Sequence, residues 1–138
     1  MMRLVKSVAL GLMLTATAAT AQANTASGLS DEKDINAGLL VIAVADKIRR
    51  ECSGISARFL TARSYLGSLK DAAAGKGYSE AEINAYINND AEKARMRDRR
   101  NAYFKANGAS NRDAASLCAL GRAEIQNQSQ IGLLLRTK

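Results

Sequence analysis

The chain has 138 residues and a formal net charge of +7, with no histidine, no proline and two cysteines. The absence of histidine removes the usual general base of serine and cysteine nucleophiles. Two cysteines are too few for a four-ligand zinc site or an iron–sulfur cluster. The composition therefore disfavours the common catalytic and metal-dependent classes.

Residues 1–23 have the layout of a secretory signal peptide. Two basic residues precede an apolar run, small residues follow, and Ala21-Gln22-Ala23 matches the A-x-A pattern that signal peptidase cuts. Ala19-Thr20-Ala21 is a second acceptable cleavage site. The apolar run spans roughly a dozen residues, shorter than the ~20 that a transmembrane helix needs; an uncleaved anchor is the alternative. We therefore predict export to the periplasm, a flexible leader at residues 24–30 and one helical domain at residues 31–138.

Cys52 and Cys118 both follow the predicted signal peptide. An even number of cysteines in an oxidising compartment favours a disulfide, and we predict that these two form one. A metal site, a redox pair and two inert buried thiols are the alternatives. The metal site lacks further ligands, while a redox pair or a c-type haem attachment would normally use a C-x-x-C motif.

Apolar residues recur at helical spacing from about Asp31 to Glu51, which predicts a first helix with Ser30 as its N-cap. Its apolar stripe is wide enough to make it the central, most buried helix. A second helix is predicted from Ile55 to the Gly75-Lys76-Gly77 turn, because its apolar positions step by four and three residues. Those positions are Ile55, Phe59, Ala62, Leu66, Leu69 and Ala73.

A third helix is predicted from Ser79 to about Ala106. Ser79 and Glu82 have the spacing of a capping box, and Asn107-Gly108 ends the helix. The inner face of this helix is formed by Ile83 and the apolar residues that follow it at helical spacing.

A fourth helix is predicted to begin at Ser110 or Asn111 and to run through Ile125. The apolar tail at residues 131–135 is expected to fold back onto the body, with a continuation of the fourth helix as one form. Four helices with short connections predict an all-α, small four-helix bundle-like domain stapled by one disulfide.

Three patterns that resemble catalytic or nucleotide-binding motifs each have a structural explanation. Gly75-Lys76 lacks the spacing of a phosphate loop. Ser30 and Lys33 match a Ser-x-x-Lys pattern without the other motifs of that enzyme class. Glu80 and Glu82 stand in a predicted first helical turn, where acidic residues are expected. We predict no catalytic residue, no metal and no cofactor, with an unrecognised carboxylate enzyme as the alternative.

The strongest charge feature is the stretch 93–100, in which five of eight residues are basic. These residues are Lys93, Arg95, Arg97, Arg99 and Arg100. Glu92 and Asp98 offset two of the charges, so a solvated helix face with acid–base pairs is one interpretation. A docking surface for an acidic protein or an anionic lipid headgroup is the other. Nucleic acid is not expected, because export removes that partner and no aromatic residue interleaves the charges.

Several stretches carry a family resemblance: GYSEAEI at residues 77–83, EKARM at 92–96, CALGRAEI at 118–125, and SQIG at 129–132 with LLR at 134–136. Together they resemble an uncharacterised family of small exported alphaproteobacterial proteins, over about residues 35–136. The resemblance implies a domain of unknown function and carries over no catalytic residue. Some members of that family bear an NADH dehydrogenase label, which for this chain implies no chemistry, since iron–sulfur ligation needs about four cysteines.

The resemblance also directs attention to the fourth predicted helix. Gly121 on its inner face predicts close approach of another helix, whereas Arg122 and Glu124 could present a polar surface to a partner. The neighbouring Ser129-Gln130 belongs to the same region.

These features together predict a periplasmic, non-enzymatic helical protein that binds another envelope protein, as an accessory to an envelope or respiratory complex. The candidate binding surface consists of Lys93, Arg95, Arg97, Arg99, Arg100, Arg122 and Glu124. A membrane-surface or anionic-ligand binder, with weak contact to anionic lipid, is the alternative.

Overall fold

The computed structural model describes residues 28–138. The predicted signal peptide at 1–23 and most of the predicted leader at 24–30 lie outside the described residues. Within residues 28–138, none of the helices combines the length and the apolarity needed to cross a membrane.

Six helices and two short strands follow one another in the described part of the chain. The helices are α1 (Lys33–Glu51), α2 (Phe59–Gly75), α3 (Glu80–Asn88), α4 (Asp90–Ala106), α5 (Ala114–Gln126) and α6 (Gln130–Leu133). The strands are β1 (Ile55–Ala57) and β2 (Leu135–Thr137), and a 3-10 turn at Leu29–Asp31 precedes α1. The predicted all-α class with one disulfide is confirmed, while the number of helices and several of their ends differ from the prediction.

Helix α1 is the central helix, as its wide apolar stripe predicts, and it packs against α2, α4, α5, α6 and β1. Around its second half lies the main core, whose largest members include Val44, Ile48, Phe104, Leu117 and Leu134. Around its first half lies a second core of Leu29, Ile35, Ala73 and Ile83. One helix therefore connects both cores.

Two glycines let neighbouring elements approach α1 and β1 closely. A Cβ atom at Gly38 of α1 would lie 2.4 Å from the Leu69 side chain, and one at Gly121 of α5 would lie 2.6 Å from both Ile48 and Ile55. The close approach predicted for Gly121 is thus confirmed, because real Cβ contacts are not that short.

The start of the fold differs from the predicted leader and N-cap. Helix α1 begins at Lys33, and the residue before it, Glu32, makes no side-chain cap. Leu29 is instead buried in the second core, where the Asn36 side chain donates a hydrogen bond to the Leu29 carbonyl oxygen at 2.7 Å. Burial of Leu29 therefore sets the direction of the chain before α1. The prediction that Ser30 is the N-cap was wrong.

The predicted start of the second helix at Ile55 was wrong. Residues Ile55–Ala57 form β1, which pairs antiparallel with β2 so that Ile55 faces Thr137 and Ala57 faces Leu135. The tail therefore folds back, as expected, but as a strand. Helix α2 starts only at Phe59, whose side chain is exposed although its spacing from Ile55 predicted an inner position.

The predicted third helix is two helices, separated at Asn89. Its first part begins as predicted: Glu82 N donates to Ser79 Oγ at 3.1 Å, and Ser79 N donates to a Glu82 carboxylate oxygen at 2.7 Å. Asn89 then adopts an extended conformation and caps α4, accepting a hydrogen bond from Glu92 N at 3.0 Å.

The fourth predicted helix starts later than expected. The cap of α5 is Asp113, whose carboxylate accepts hydrogen bonds from Ala115 N at 3.0 Å and Ser116 N at 3.3 Å. Ser116 Oγ in turn accepts from Ser110 N at 3.0 Å, which fixes the loop that precedes the helix. Ser110, Asn111 and Asp113 all have side chains that can cap a helix. Only the folded conformation of the loop decides that Asp113 is the cap.

The predicted disulfide is confirmed. Cys52 follows the last residue of α1, Cys118 lies in α5, and their Cα atoms are 5.2 Å apart across the bond. The bond fastens the central helix to the helix that carries Gly121.

Candidate functional site

The five basic residues of the stretch 93–100 lie on α4 and differ in exposure. Lys93, Arg95, Arg97 and Arg99 are exposed, and Arg100 is half-buried. Arg95 forms an ion pair with Glu92, three residues before it. Lys93, Arg97 and Arg99 form no ion pair with another residue of the described part of the chain. These three charges are therefore free to meet a partner.

Arg100 turns toward α1 instead of completing an outward stripe. Its guanidinium lies 5.9 Å from the centre of the Phe104 ring and donates to Asn101 Oδ1 at 3.3 and 3.2 Å. Burial lowers the pKa of Arg100, and the charge of Arg97 lowers it further. Arginine nevertheless stays protonated in proteins, so a fixed positive charge is held at the junction of α4 and α1.

Helix α1 contributes basic residues that the sequence analysis missed. The Asp46 carboxylate forms two ion pairs. One of its oxygens lies 2.6 Å from the Arg49 guanidinium, and the other lies 2.9 Å from that of Arg50. Asp46 and Arg50 also influence the pKa of Arg100, Asp46 raising it and Arg50 lowering it. One carboxylate thus pairs with two arginines of α1 and favours the charge of Arg100 on α4. The i,i+3 and i,i+4 spacing after Asp46 was visible in the sequence, but its meeting with α4 was not.

We define the basic surface as the cationic side chains that α1 and α4 present together. It consists of Arg49, Arg50, Lys93, Arg97 and Arg100; Arg99 follows Arg97 by two residues and so lies on another side of α4. Beside it, a shallow open cavity of about 210 Å³ lies between α1, α3 and α4. Its wall includes the apolar side chains of Ile42, Ile87 and Met96, and its charged residues are Asp46, Glu92 and Lys93. The basic surface therefore borders an apolar hollow, which is a common composition of protein-binding sites.

Arg122 and Glu124 do not form one surface. Arg122 is exposed, whereas Glu124 is buried on the opposite side of α5, with 8% of its area accessible. The structure thus places Glu124 in the interior and leaves Arg122 on the surface.

Glu124 is the centre of a buried polar cluster that holds three elements together. Its carboxylate accepts hydrogen bonds from the Tyr103 hydroxyl of α4 and the Ser129 hydroxyl at the start of α6. Ser129 Oγ accepts from Gly132 N at 3.0 Å, and Ser129 N donates to the Glu124 carbonyl oxygen at 3.2 Å. Burial, and then the bond to Glu124, raise the pKa of Tyr103 to about 12. We call Tyr103, Glu124, Ser129 and Gly132 the carboxylate clamp.

The carboxylate clamp has the groups of an acid–base site but the geometry of a structural one. Both hydroxyls are committed to the carboxylate, and a Cβ atom at Gly132 would lie 1.9 Å from the Glu124 carbonyl oxygen. No buried side-chain nitrogen or oxygen in residues 28–138 lacks a hydrogen-bond partner. A buried carboxylate satisfied in this way stabilises the contact between helices.

The other carboxylates singled out in the sequence have local roles. Hydrogen bonds from the Ser79 backbone and side chain lower the pKa of Glu82, the opposite of what a general acid needs. Glu80 is exposed in the first turn of α3. Among the described residues no group of three acidic, cysteine or histidine side chains is placed to hold a metal ion.

Comparison with known proteins gives a family and no function. The model of a family of unknown function, DUF5333, matches residues 27–136, and the chain belongs to this family. Searches of curated proteins and of solved structures found no match.

Proposed function

We propose that this member of DUF5333 is an exported, periplasmic, non-enzymatic domain that binds an acidic region of another envelope protein. Service to an envelope or respiratory complex is one form of this role. The observation that carries the proposal is the basic surface, where Asp46 pairs with Arg49 and Arg50 of α1 and Arg100 of α4 lies close enough to feel these charges.

Holding like charges together has an electrostatic cost, which an acidic partner would relieve. Burial, Arg97 and Arg50 all lower the pKa of Arg100, whereas Asp46 raises it. Interfaces use such complementary charge to steer encounter and to select partners. The adjoining cavity with Ile42 and Met96 offers apolar area for the centre of the same contact.

The exported location is supported by the signal-like sequence of residues 1–23 and by the disulfide. Disulfides persist in oxidising compartments, including the bacterial periplasm. Cys52 and Cys118 are bonded, and no free cysteine lies in residues 28–138. Fractionation of the native host, with the protein detected in the periplasmic extract, tests this part.

The binding role is tested by recovering partners from the native envelope with the protein and with Lys93→Glu/Arg97→Glu. Both side chains are exposed and unpaired, so the substitutions leave the fold intact. We expect the recovered partner to be lost, with an affinity at least about tenfold weaker at low salt. Mass spectrometry identifies the partner, and calorimetry on the purified pair measures the affinity.

A matched control changes the net charge by the same amount elsewhere. Lys105→Glu/Arg112→Glu alters two exposed basic residues that lie outside the basic surface. This variant should keep the partner. If both double variants recover the partner equally well, or lose it equally, the basic surface does not bind the partner.

A further inference from the structure

A second surface is apolar and lies at the opposite end of α2 from the α2–α3 turn. The large hydrophobic side chains that the described residues expose are Phe59 at 67%, Leu60 at 85% and Leu133 at 42%. Leu60 and Leu133 line one open groove of about 610 Å³ whose other walls are largely polar, and Phe59 lines a neighbouring cavity of about 160 Å³. Single exposed apolar residues are common, but a shared exposed patch marks an interaction site. We call Phe59, Leu60 and Leu133 the apolar tip.

The fold brings the two parts of the apolar tip together. The N–H group of Arg58 donates to the Leu134 carbonyl oxygen at 2.8 Å, which extends the pairing of β1 with β2. The residues before Phe59 and after Leu133 are thus hydrogen-bonded neighbours. The tip rests on the same strands whose side chains complete the main core, so its position is rigidly set.

The chain segments that carry the apolar tip contain basic and no acidic residues, while Asp46 of α1 lines a cavity together with Phe59. Residues 52–70 and 125–138 contain no aspartate or glutamate. Their basic residues are Arg58, Arg63, Lys70, Arg136 and Lys138. None of these forms an ion pair with a described residue, and Arg58, Arg63 and Arg136 are exposed. The basic surface differs, since Asp46, Glu92 and Asp98 interrupt it.

Arginine and apolar side chains also share the outer face of α2. Arg63 follows Leu60 by three residues and Phe59 by four, which puts the three on neighbouring positions of the helix. Arg49 of α1 lies 5.6 Å from the centre of the Phe59 ring. An apolar side chain is therefore flanked by guanidinium groups on both sides.

We propose that the apolar tip docks on a membrane surface that contains anionic lipid, as a peripheral contact. Leu60 and Phe59 enter the boundary between headgroups and acyl chains, and Arg58, Arg63 and Arg136 lie among the lipid phosphates. Apolar side chains surrounded by arginine and lysine are the composition that binds such interfaces. A protruding Leu60 suits a deformable lipid surface, whereas an acidic peptide would neutralise the arginines and leave that side chain in water.

This inference goes beyond the proposed function and uses different residues, apart from Arg49, which also contacts the Phe59 ring. The apolar tip belongs to α2 and α6, while the partner-binding charges of α4 are separate from it. Membrane docking and protein binding can therefore fail independently.

The test is co-sedimentation of the disulfide-bonded protein with vesicles at low salt. Vesicles of phosphatidylglycerol and phosphatidylethanolamine are compared with vesicles of phosphatidylcholine alone. We expect binding to the first and not to the second, and weakening as salt is added. Leu60→Asp should weaken binding about tenfold or more, because it removes an inserted leucine and adds a negative charge.

Controls separate the apolar tip from general charge and from misfolding. Aspartate in the first turn of α2 favours the helix, so Leu60→Asp keeps the thermal midpoint of the original protein. Ala85→Asp makes the same charge change at an exposed position of α3 and should bind vesicles normally. Lys93→Glu/Arg97→Glu should also retain most vesicle binding.

Three results would overturn the inference. The first is equal binding to phosphatidylcholine vesicles or no binding to anionic ones at low salt. The second is equal weakening by Leu60→Asp and Ala85→Asp, which would reduce the contact to adsorption by net charge. The third is capture of soluble poly-glutamate with the same dependence on Leu60 and no capture of vesicles, which would assign the apolar tip to an acidic protein.

Discussion

The two cores around α1 are held together by different means. The main core has eleven buried residues and is closed by the disulfide, by the pairing of β1 with β2 and by the carboxylate clamp. The second core has four buried residues and depends on hydrogen bonds and one ion pair near the start of α1. Buried apolar area and loop closure are the larger contributions to stability, so we expect the second core to open before the main core.

Loss of the disulfide should have the largest effect. Cys52→Ser/Cys118→Ser opens a loop spanning 66 residues, and the chain-entropy relation gives a loss of about 4 kcal/mol in the free energy of unfolding. Urea denaturation of the variant and of the original protein measures the difference. Reducing agent should destabilise the original protein to a similar degree and leave the variant unchanged; a variant as stable as the original would mean that the bond does not dominate the main core.

A methyl group at Gly132 should disrupt the carboxylate clamp. Its Cβ atom would lie 1.9 Å from the Glu124 carbonyl oxygen, a backbone atom that cannot move aside alone. Gly132→Ala is expected to cost about 3 kcal/mol.

The matched control for that substitution is Gly67→Ala in α2. No atom lies within 4 Å of a Cβ placed there, and alanine favours a helix interior, so stability should rise by about 0.5–1 kcal/mol. Thermal unfolding of both variants decides the comparison, and a Gly132→Ala protein as stable as the control would show that the clamp tolerates movement.

Asn36→Ala should weaken the second core by a smaller amount. The Asn36 side chain is buried, donates to the carbonyl oxygens of Leu29 and Glu32 at 2.7 and 2.8 Å, and accepts from the Tyr86 hydroxyl at 2.5 Å. Its loss leaves buried groups without partners, at a cost of about 2 kcal/mol.

Amide hydrogen exchange should show where that loss is felt. Protection should fall around Leu29 and α3 and stay high in α5. Asn88→Ala removes an exposed bond to Asn84 and should change little; equal loss of protection in both cores would contradict independent opening.

The smallest expected effect is a pH dependence of the second core. The Lys76 ammonium lies 2.9 Å from the Glu32 carboxylate and, followed by Tyr78, lowers the pKa of Glu32. The stabilisation that the Glu32 carboxylate contributes is therefore fully present above the pKa of Glu32 in the unfolded chain. It is lost as the pH falls through the lower pKa of Glu32 in the folded protein. Glu32 raises the pKa of Lys76, so that group stabilises below its unfolded pKa and loses the effect as the pH rises through its folded value.

The thermal unfolding midpoint, measured as a function of pH on the acidic and alkaline sides of neutrality, tests the contribution of the Glu32–Lys76 ion pair. Both groups contact solvent, so the shift is modest and decreases with added salt. Glu32→Gln should flatten part of the acidic limb; an unchanged limb would mean that other carboxylates account for it.

Local chemistry made the helical class and several helix ends predictable. The Ser79–Glu82 capping box, the turns at Gly77 and Gly108 and the close approach at Gly121 all depend on residues a few positions apart or on one missing side chain. The disulfide was predictable because Cys52 and Cys118 are the chain's sole cysteines. The basic residues of α4 were visible in the same way.

Contacts between distant segments decided the rest. Ile55 and Phe59 have helical spacing, yet pairing with a strand about 80 residues away holds Ile55 in the main core and leaves Phe59 exposed. In the same way Arg50 affects the pKa of Arg100, and Glu124 accepts a hydrogen bond from Tyr103, only because α4 packs beside α1 and α5. The sequence by itself determined which segments favour helices, because that preference is local. The tertiary structure alone decided which side chains are exposed, buried or shared between helices, because burial and hydrogen-bond satisfaction depend on partners distant in the chain.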